Sequence, residues 1–310
     1  MRDLLKALTW PGNLARRWQE TRRRCGLLSC PGLRPFWRRR WRRRTGTFLQ
    51  GVFYCTPACL ETALIAQLAR LHALAPSYPP PNRIPLGLLM VARGRLTYQQ
   101  VAAALAAQQS ARSERIGEWF ERLGFATEQE VTSALGLQWG CPVASSLQAA
   151  TSMALGPIPL AILEAFQMLP LHAVPATNTL FLAFGERVDH AALYAIEKIL
   201  DCRTQPCVAG RKSVARALEL MRQQPRPSEV EFGVVRDVAE IGRISSSYVA
   251  KLGAEDVRLA RVGSILWLRL KLRSSHVNLV FRMRGETQEV QSKFGLPLPA
   301  RFSAAPATLT

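Results

Sequence analysis

The sequence predicts an α+β protein built from several units. Three observations lead to this prediction: an internal repeat with helical spacing over residues 85–138, mixed helical and strand-like patterns over residues 140–222, and an alternation of leucine with basic residues near 265–273. We predict a tandem helical-hairpin repeat followed by a small α/β layer, with a basic, cysteine-containing N-terminal segment and a C-terminal helix plus antiparallel sheet. The chain has 310 residues, 48% of them hydrophobic and 20% charged, which excludes wholesale disorder.

Composition shifts divide the chain into four parts. Residues 1–76 form the N-terminal segment, and the run of three prolines that follows favours extended geometry and marks a boundary. Residues 82–222 are predicted to be one folded unit and residues 229–285 another, separated by the polar, proline-containing linker 223–228. Residues 286–310 contain few large apolar side chains and are predicted to form a disordered tail.

The N-terminal segment carries most of the excess positive charge. The chain has 41 Lys and Arg against 22 Asp and Glu, a net charge of +19, and residues 1–45 alone hold 14 basic and two acidic residues. Residues 34–44 interleave seven arginines with Phe36, Trp37 and Trp41. This pattern is typical of segments that bind nucleic acid or an anionic membrane surface, and equally of a solvated basic loop.

Two features of the sequence bear on location. No apolar run reaches the roughly 18 residues that a spanning helix needs, and the N-terminus lacks the apolar stretch of a secretory signal, so we expect a cytoplasmic protein. Seven cysteines, an odd number without an export signal, favour reduced thiols or a metal site over a disulfide framework.

Four cysteines of the N-terminal segment form two pairs that would suit zinc. The pairs are spaced C-x4-C and C-x3-C with 24 residues between them: Cys25 and Cys30, then Cys55 and Cys59. Residues 48–54 predict a strand that delivers the second pair, and residues 61–73 predict the helix that follows it. This order is typical of zinc ribbons and treble clefs. The alternative is four unpaired thiols, because neither spacing is the common C-x2-C.

The internal repeat has an offset of 30 residues. Of the 24 positions aligned between residues 85–108 and residues 115–138, eight are identical. Each copy begins with a helical pattern that stops at Gly94 or Gly124, where a left-handed backbone conformation favours glycine. A threonine then provides the N-cap of a second helix, with Gln or Glu three residues later as in a capping box. Each copy is therefore predicted to be a helical hairpin.

The paired pattern resembles the MshEN domain, the N-terminal domain of type II secretion and type IV pilus assembly ATPases. In that family an Arg-Leu-Gly start, apolar pairs around a glycine, and later Leu, Leu and Gln recur in two motifs that bind cyclic di-GMP. The second copy, residues 115–138, fits this pattern, with Glu121 as its departure. The first copy, residues 85–108, has Pro85 where the family has Arg, and Arg95 at an apolar position. The resemblance continues through the α/β segment that follows.

The resemblance implies a cyclic di-GMP site shared by the two copies. Two guanines and two phosphates suit apolar side chains that face the bases, an Arg and a Gln that read base edges and phosphate, and glycines that let backbone amides approach. Without the first Arg, one planar bidentate donor is missing, and a scaffold that kept the fold but lost the ligand is the alternative. The implied ligand residues are Leu86, Gly87, Gly94, Leu96 and Gln108 of the first copy and Arg115, Ile116, Gly117, Gly124, Phe125 and Gln138 of the second.

Local patterns place the elements after the repeat. Residues 140–222 predict an α/β layer of short strands alternating with helices. Residues 230–252 predict one long helix, followed by three strands of an antiparallel sheet. In the strand near 265–272, leucines alternate with Trp267 and Arg269, which predicts one buried face and one wet, basic face.

No sequence motif supports an enzyme. The secretion and pilus ATPases carry a Gly-x-x-x-x-Gly-Lys-Ser/Thr phosphate loop, and the run at residues 210–213 lacks both its upstream glycine and its Gly-Lys step. We therefore expect a non-enzymatic adaptor or regulator that binds cyclic di-GMP and has secretion or pilus assembly proteins as partners. The alternative is a zinc-containing, basic nucleic-acid-binding protein whose repeat unit docks protein partners.

Overall fold

The computed structural model describes most of the chain between residues 25 and 283, namely residues 25–30, 46–73, 83–110, 114–144, 147, 158–235 and 237–283. The Arg-rich run of the N-terminal segment and the predicted C-terminal tail lie outside the described residues. The elements in chain order are β1 (Thr47–Leu49), β2 (Val52–Tyr54), α1 (Pro57–Ala73), α2 (Leu86–Ala92), α3 (Tyr98–Ser110), α4 (Ile116–Arg122), α5 (Glu128–Trp139), α6 (Leu160–Ala165), β3 (Met168–Val174), β4 (Thr179–Phe184), α7 (His190–Leu200), β5 (Arg203–Val208), α8 (Arg211–Arg222), β6 (Glu229–Val235), α9 (Val238–Leu252), β7 (Asp256–Val262), β8 (Ile265–Lys271) and β9 (His276–Met283).

The second helix of each repeat copy begins with the same reciprocal cap. The Thr97 hydroxyl accepts a hydrogen bond from the Gln100 backbone N–H at 3.2 Å, and the Gln100 side chain accepts one from the Thr97 N–H at 2.8 Å. Thr127 and Glu130 make the equivalent pair at 3.3 and 2.9 Å. Both capping boxes satisfy backbone donors that the first helical turn leaves free, as the sequence pattern predicts.

The helices of one copy pack against the helices of the other. Helix α2 of the first copy packs on α5 of the second, and α4 of the second packs on α3 of the first. Met90 and Phe120, which occupy equivalent positions, are fully buried in the core between them, with Leu86 close by. The arrangement is a four-helix unit in which neither hairpin buries its apolar face alone.

The α/β layer has a three-stranded sheet in the order β3-β4-β5. Strand β4 pairs antiparallel with β3 and parallel with β5. Helices α6, α7 and α8 contribute Ile162, Ile196 and Val214 to the core against this sheet, and all three side chains are fully buried. The short strands and the helices between them agree with the local patterns of residues 140–222.

A six-stranded sheet joins the two ends of the described chain. Its order is β2-β1-β7-β8-β9-β6, and β1 pairs in parallel with β7, so that Phe48 lies opposite Asp256. Helices α1 and α9 pack on each other and cover one face of the sheet, where Leu64 and Leu268 are fully buried. The division of the sequence into an N-terminal segment and a separate C-terminal unit does not anticipate this pairing. The sheet is also mixed, because β6 runs parallel to β9, whereas an antiparallel sheet was expected.

Two strand assignments differ from the sequence prediction. Residues 229–235 form strand β6 rather than the start of the long helix, and the helix begins at Val238 after Asp237, whose carboxylate accepts a hydrogen bond from the Ala239 N–H at 2.9 Å. The run 48–54 is a hairpin rather than one strand, because Gln50 and Gly51 turn the chain with φ values of +52° and +82°. Positive φ at both central positions matches the twist of tight hairpins.

The predicted wet, basic face of β8 is partly covered. Trp267 is fully buried against the α/β layer, and its Nε1–H donates to Asn278 Oδ1 at 3.0 Å. Burial, with Arg258 close by, lowers the pKa of Arg269 to about 10. The Arg258 guanidinium in turn donates to the backbone carbonyls of Lys198 and Ile199 at the end of α7, each at 3.4 Å. The sheet thus has one face against α1 and α9 and the other against the α/β layer.

None of the helices in the described ranges is both long and apolar enough to cross a membrane.

Candidate functional site

A groove lies between the repeat and the α/β layer, at the start of helix α4. Its cavity has a volume of about 210 Å³. Of the ligand residues that the resemblance implies, five line it: Leu86, Arg115, Ile116, Gly117 and Gln138. The opposite wall comes from the loop after β4 and the first turn of α8, through Gly185, Glu186, Arg187 and Arg211. Five of the eleven ligand residues implied by the resemblance therefore meet at one cavity.

Ion pairs join the two walls of the groove. The Arg115 guanidinium, which is 56% exposed, contacts a Glu186 carboxylate oxygen at 2.7 Å. Arg211 contacts the other Glu186 oxygen at 3.1 Å and also pairs with Glu118 at the start of α4. Arg187, the third arginine that lines the groove, pairs with Asp189 at 3.1 Å, so each of the three has a carboxylate partner.

Lys212 extends this ionic network toward the second repeat. Its Nζ donates to Glu121 at 2.8 Å, and its backbone N–H donates to Glu128 at 2.9 Å. The hydrogen bond and charge of Glu121 raise the pKa of Lys212. Glu121, which departs from the family pattern, therefore has a structural partner: it helps to hold the repeat against α8.

Two of the motif glycines are positions of close helix packing. A Cβ atom at Gly87 would lie 3.0 Å from Val101 Cγ1, and one at Gly117 would lie 3.0 Å from Val131 Cγ1. Few side-chain contacts are this short, so a larger residue would push α2 away from α3, or α4 away from α5. These equivalent contacts explain both glycines by packing within each hairpin, and Gly117 in addition borders the groove.

The remaining glycines and apolar residues of the implied ligand set do not line the cavity. Gly94 and Gly124 have φ values of +66° and +72° in the turn between the two helices of each copy, where a side chain would be strained. Leu96 is buried in the repeat core, and Phe125 packs half-buried against the same core. The structure therefore places these four residues in turns and packing positions.

The two motif glutamines bind backbone across the repeat. Gln108 Nε2 of the first copy donates to the carbonyl oxygen of Glu114, which lies just before the second copy, at 2.7 Å. Gln138 Nε2 of the second copy donates to the carbonyl oxygen of Ile84, which lies just before the first copy, also at 2.7 Å. Residues 84 and 114 are equivalent at the repeat offset, so the exchange is reciprocal. Gln138 also lines the groove, and its side-chain amide has an oxygen that can accept a hydrogen bond.

Sequence reasoning missed the second wall of the groove. Glu186 and Arg211 come from the α/β half: Glu186 lies 71 residues after Arg115, and Arg211 lies 93 residues after Glu118. One local signal was present: Gly185 follows strand β4, and a Cβ there would lie 3.1 Å from Val214 of α8. Such a glycine marks a close approach of two backbones, which places the loop after β4 beside the first turn of α8.

A second candidate site is the cysteine cluster. The Sγ atoms of all four N-terminal cysteines, Cys25, Cys30, Cys55 and Cys59, lie within 4.8 Å of one another. Cys30 and Cys59 are buried, whereas the other two are half-buried. Burial, followed by hydrogen bonds to the neighbouring thiols Cys30 and Cys25, raises the pKa of Cys55 to about 12. The folded chain therefore brings together the two pairs that the sequence spacing singled out.

Comparisons with known proteins give a partial likeness. No protein-family model matches the sequence, and no curated protein matches it. Among solved structures, the chain is similar to MshE with cyclic di-GMP, with 24% identity and a TM-score of 0.39 over 44% of this chain and 99% of that one. It is also similar to the N-terminal domain of XpsE, with 19% identity and a TM-score of 0.34 over 43% of this chain and 91% of that one. These likenesses cover less than half of this chain.

Proposed function

We propose that the groove beside helix α4 binds cyclic di-GMP and that the chain is a non-enzymatic adaptor of type II secretion or type IV pilus machinery. One observation carries the proposal: Arg115, Ile116, Gly117 and Gln138, which belong to the second motif, line one cavity. Leu86 of the first motif completes the same wall, so residues chosen by sequence resemblance alone occupy one concave surface.

The groove residues supply the chemistry that a cyclic dinucleotide needs. Arg115 is a planar donor that suits a phosphate or the edge of a guanine. Leu86 and Ile116 offer apolar surface for the face of a base, and the Gln138 amide oxygen offers an acceptor for a guanine N–H. The cavity of about 210 Å³ is smaller than the roughly 300 Å³ of typical ligand pockets, so the ligand would bind partly outside it or widen it.

Glu186 opposes an anionic ligand in this groove. Its carboxylate holds Arg115 at 2.7 Å and Arg211 at 3.1 Å, and a phosphate would compete with it for the same guanidinium groups. Bringing a phosphate beside this carboxylate costs free energy, since like charges at short range repel. The proposal therefore makes Glu186 a determinant of affinity, with a sign opposite to that of Arg115.

Calorimetric titration of the full chain with cyclic di-GMP tests the proposal. Arg115→Ala should weaken binding at least tenfold, about 1.4 kcal/mol, because one charge-assisted contact is lost. Glu186→Gln should strengthen binding, since it frees the same guanidinium, and Pro85→Arg should strengthen it by restoring the first motif. Arg122→Ala is the matched control, because Arg122 is on the same helix and pairs with Glu114 outside the cavity lining.

The outcomes separate a ligand site from a scaffold. If the wild type shows no heat of binding at high micromolar nucleotide and Pro85→Arg creates none, the groove is not a cyclic di-GMP site. If Arg115→Ala and Arg122→Ala weaken binding equally, the effect comes from general charge and not from the groove. In either case the network between Glu186, Arg115 and Arg211 would serve only to hold the repeat against the α/β layer.

The adaptor role is tested separately. Immobilised full-length chain should retain cytoplasmic components of a reconstituted secretion or pilus system, and cyclic di-GMP should change the amount retained. Groove variants that lose the nucleotide should lose that change and keep basal retention. An unchanged amount retained with and without nucleotide, in a protein shown to bind it, would contradict regulation by this ligand.

A further inference from the structure

We propose that the cysteine cluster is a tetrathiolate zinc site that fastens residues 25–30 to the β2 edge of the six-stranded sheet. The proposal concerns the four cysteines, Cys25, Cys30, Cys55 and Cys59, and is independent of the groove. It rests on the distances between their sulfurs and on the elements that present them.

The sulfur distances fit a tetrahedral metal site and not disulfides. Cys30 Sγ lies 3.4 Å from Cys55 Sγ and 3.7 Å from Cys59 Sγ. Sulfurs placed tetrahedrally at about 2.3 Å from a zinc ion are separated by about 3.8 Å, whereas a disulfide bond is about 2.05 Å long. All four sulfurs lie within 4.8 Å of one another, so one ion can reach every ligand with small side-chain adjustments.

The backbone around the cluster is fixed on three sides. Cys55 follows strand β2 directly, and Cys59 lies in the first turn of α1, where its backbone N–H donates to the Thr56 hydroxyl at 3.2 Å. In the first pair, the Cys30 N–H donates to the Leu27 carbonyl at 3.1 Å, which makes a tight turn. This is the arrangement of a knuckle and a helix start that presents thiolates from two separate segments to one point.

Residues 25–30 have few other attachments among the described residues. The Gly26 N–H donates to the Phe53 carbonyl at 2.8 Å, and Cys30 is buried in the core beneath α1, but Leu28 is 97% exposed. Leu27 packs partly buried against the same core, and this limited apolar surface only partly offsets the entropy of ordering six residues. A metal ion bound by four thiolates supplies that free energy, because binding and ordering are coupled.

The ligand set selects the class of metal. Four thiolates in a closed tetrahedron suit Zn²⁺, whereas Mg²⁺ and Ca²⁺ take oxygen ligands. No fifth ligand or open position is offered by the described residues of the cluster, so the site is structural and not catalytic. Its effect should reach the sheet, since β2 pairs with β1, which pairs with β7.

Metal analysis of the full chain, purified without chelator, tests the assignment. We expect one zinc per chain in the wild type and in Cys202→Ser, which removes a half-buried thiol outside the cluster. Cys30→Ser should lower the zinc content at least tenfold. Because this variant replaces a buried residue, Cys25→Ser at a half-buried position serves as the second variant. Less than a tenth of an equivalent of zinc in the wild type, iron in its place, or a disulfide between any two of the four would overturn the proposal.

Hydrogen exchange separates a structural zinc from an adventitious one. After removal of zinc with a strong chelator, amides of residues 46–59 should exchange at least tenfold faster, and those of the repeat at residues 86–139 should not change. Adding Co²⁺ to the metal-free wild type should restore protection and give the absorption of tetrahedral cobalt thiolate. Unchanged exchange at residues 46–59, with the metal fully removed, would show that zinc does not fasten this edge.

Discussion

The two copies of the repeat share a backbone and differ in their chemistry. Positions that set the fold have equivalent roles in both: Gly87 and Gly117 each pack on a valine, and Gln108 and Gln138 each donate to the carbonyl that precedes the other copy. Positions at the surface differ, since Pro85 of the first copy corresponds to Arg115 of the second. Several residues that match the ligand motifs therefore also hold the fold together, and they do so in the same way in both copies.

The difference between the copies follows from what each one faces. The second copy faces the α/β layer, where Arg115 meets Glu186 and Glu121 meets Lys212. In the first copy the position of Arg115 is taken by Pro85 and that of Glu121 by Val91, so the same ionic contacts cannot form there. At these two positions, therefore, only the copy that joins the α/β layer carries a charge.

The shared core gives the largest expected effect. Phe120→Ala should destabilise the protein by about 3–5 kcal/mol and Met90→Ala by about 2–5 kcal/mol, because both residues are fully buried at equivalent positions and each leaves a cavity. Urea unfolding of both variants measures this. If one substitution lowers the free energy of unfolding by less than about 1 kcal/mol while the other lowers it by the expected amount, the two copies do not share one core.

The turns give an intermediate effect that should be equal in the two copies. Gly94→Ala and Gly124→Ala should each destabilise by roughly 1–2 kcal/mol, since both positions have positive φ and an added Cβ would touch nothing within 4 Å. The cost is then backbone strain alone. Asparagine at the same positions should cost less than alanine, because it adopts this conformation more readily. Thermal unfolding of the two alanine and two asparagine variants measures these losses of stability. A different loss for Gly94→Ala than for Gly124→Ala would contradict equivalent turns.

The caps give the smallest effect and the sharpest difference between the copies. Hydrogen bonds from the Thr127 N–H and hydroxyl, with Arg95 adding a smaller effect, hold the pKa of Glu130 below its ordinary value. A lowered pKa in the folded state means that the carboxylate stabilises the fold above the ordinary Glu pKa, and that this contribution disappears as the pH falls through the folded-state value. Gln100, at the equivalent position, does not titrate.

Exchanging the two cap residues tests that difference. The melting temperature of Glu130→Gln should be lower than that of the wild type at pH 7, and the gap should close as the pH falls below about 4. Gln100→Glu should give the first copy the same acid sensitivity. A gap that stays constant from pH 7 to pH 3 would show that the carboxylate charge does not strengthen the second cap.

Local signals explain which parts of the fold the sequence could predict. Both capping boxes, both glycine turns and the strands of the α/β layer depend on neighbouring residues, and the patterns placed them well. Strand β6 was mistaken for the start of a helix although Gly233 interrupts its sequence, and the helix cap is Asp237. Strands β1 and β7 pair with Phe48 opposite Asp256, and neither local sequence pattern predicts this long-range pairing.

The two candidate sites also differ in how far local sequence predicts them. The four cysteines could be grouped from spacing alone, since thiols have few other reasons to recur in pairs. The groove could be predicted only on one wall, because Glu186 and Arg211 reach it through the tertiary packing of a different layer. Gly94 and Gly124 belong to the ligand set that the resemblance implies, and the left-handed turns predicted for both from the sequence are present in the structure.

The parallel pairing of β1 with β7 also sets an order of assembly. The Gln50 side chain donates to the carbonyl of Leu259, and these two residues are 209 positions apart in the chain. During synthesis the β1–β2 hairpin therefore leaves the ribosome long before its neighbouring strand is translated. The repeat and the α/β layer can fold in that interval, since their contacts are local, whereas the six-stranded sheet must wait. A nascent chain that stops after α8 would present β1 as an open strand edge, a substrate for chaperones.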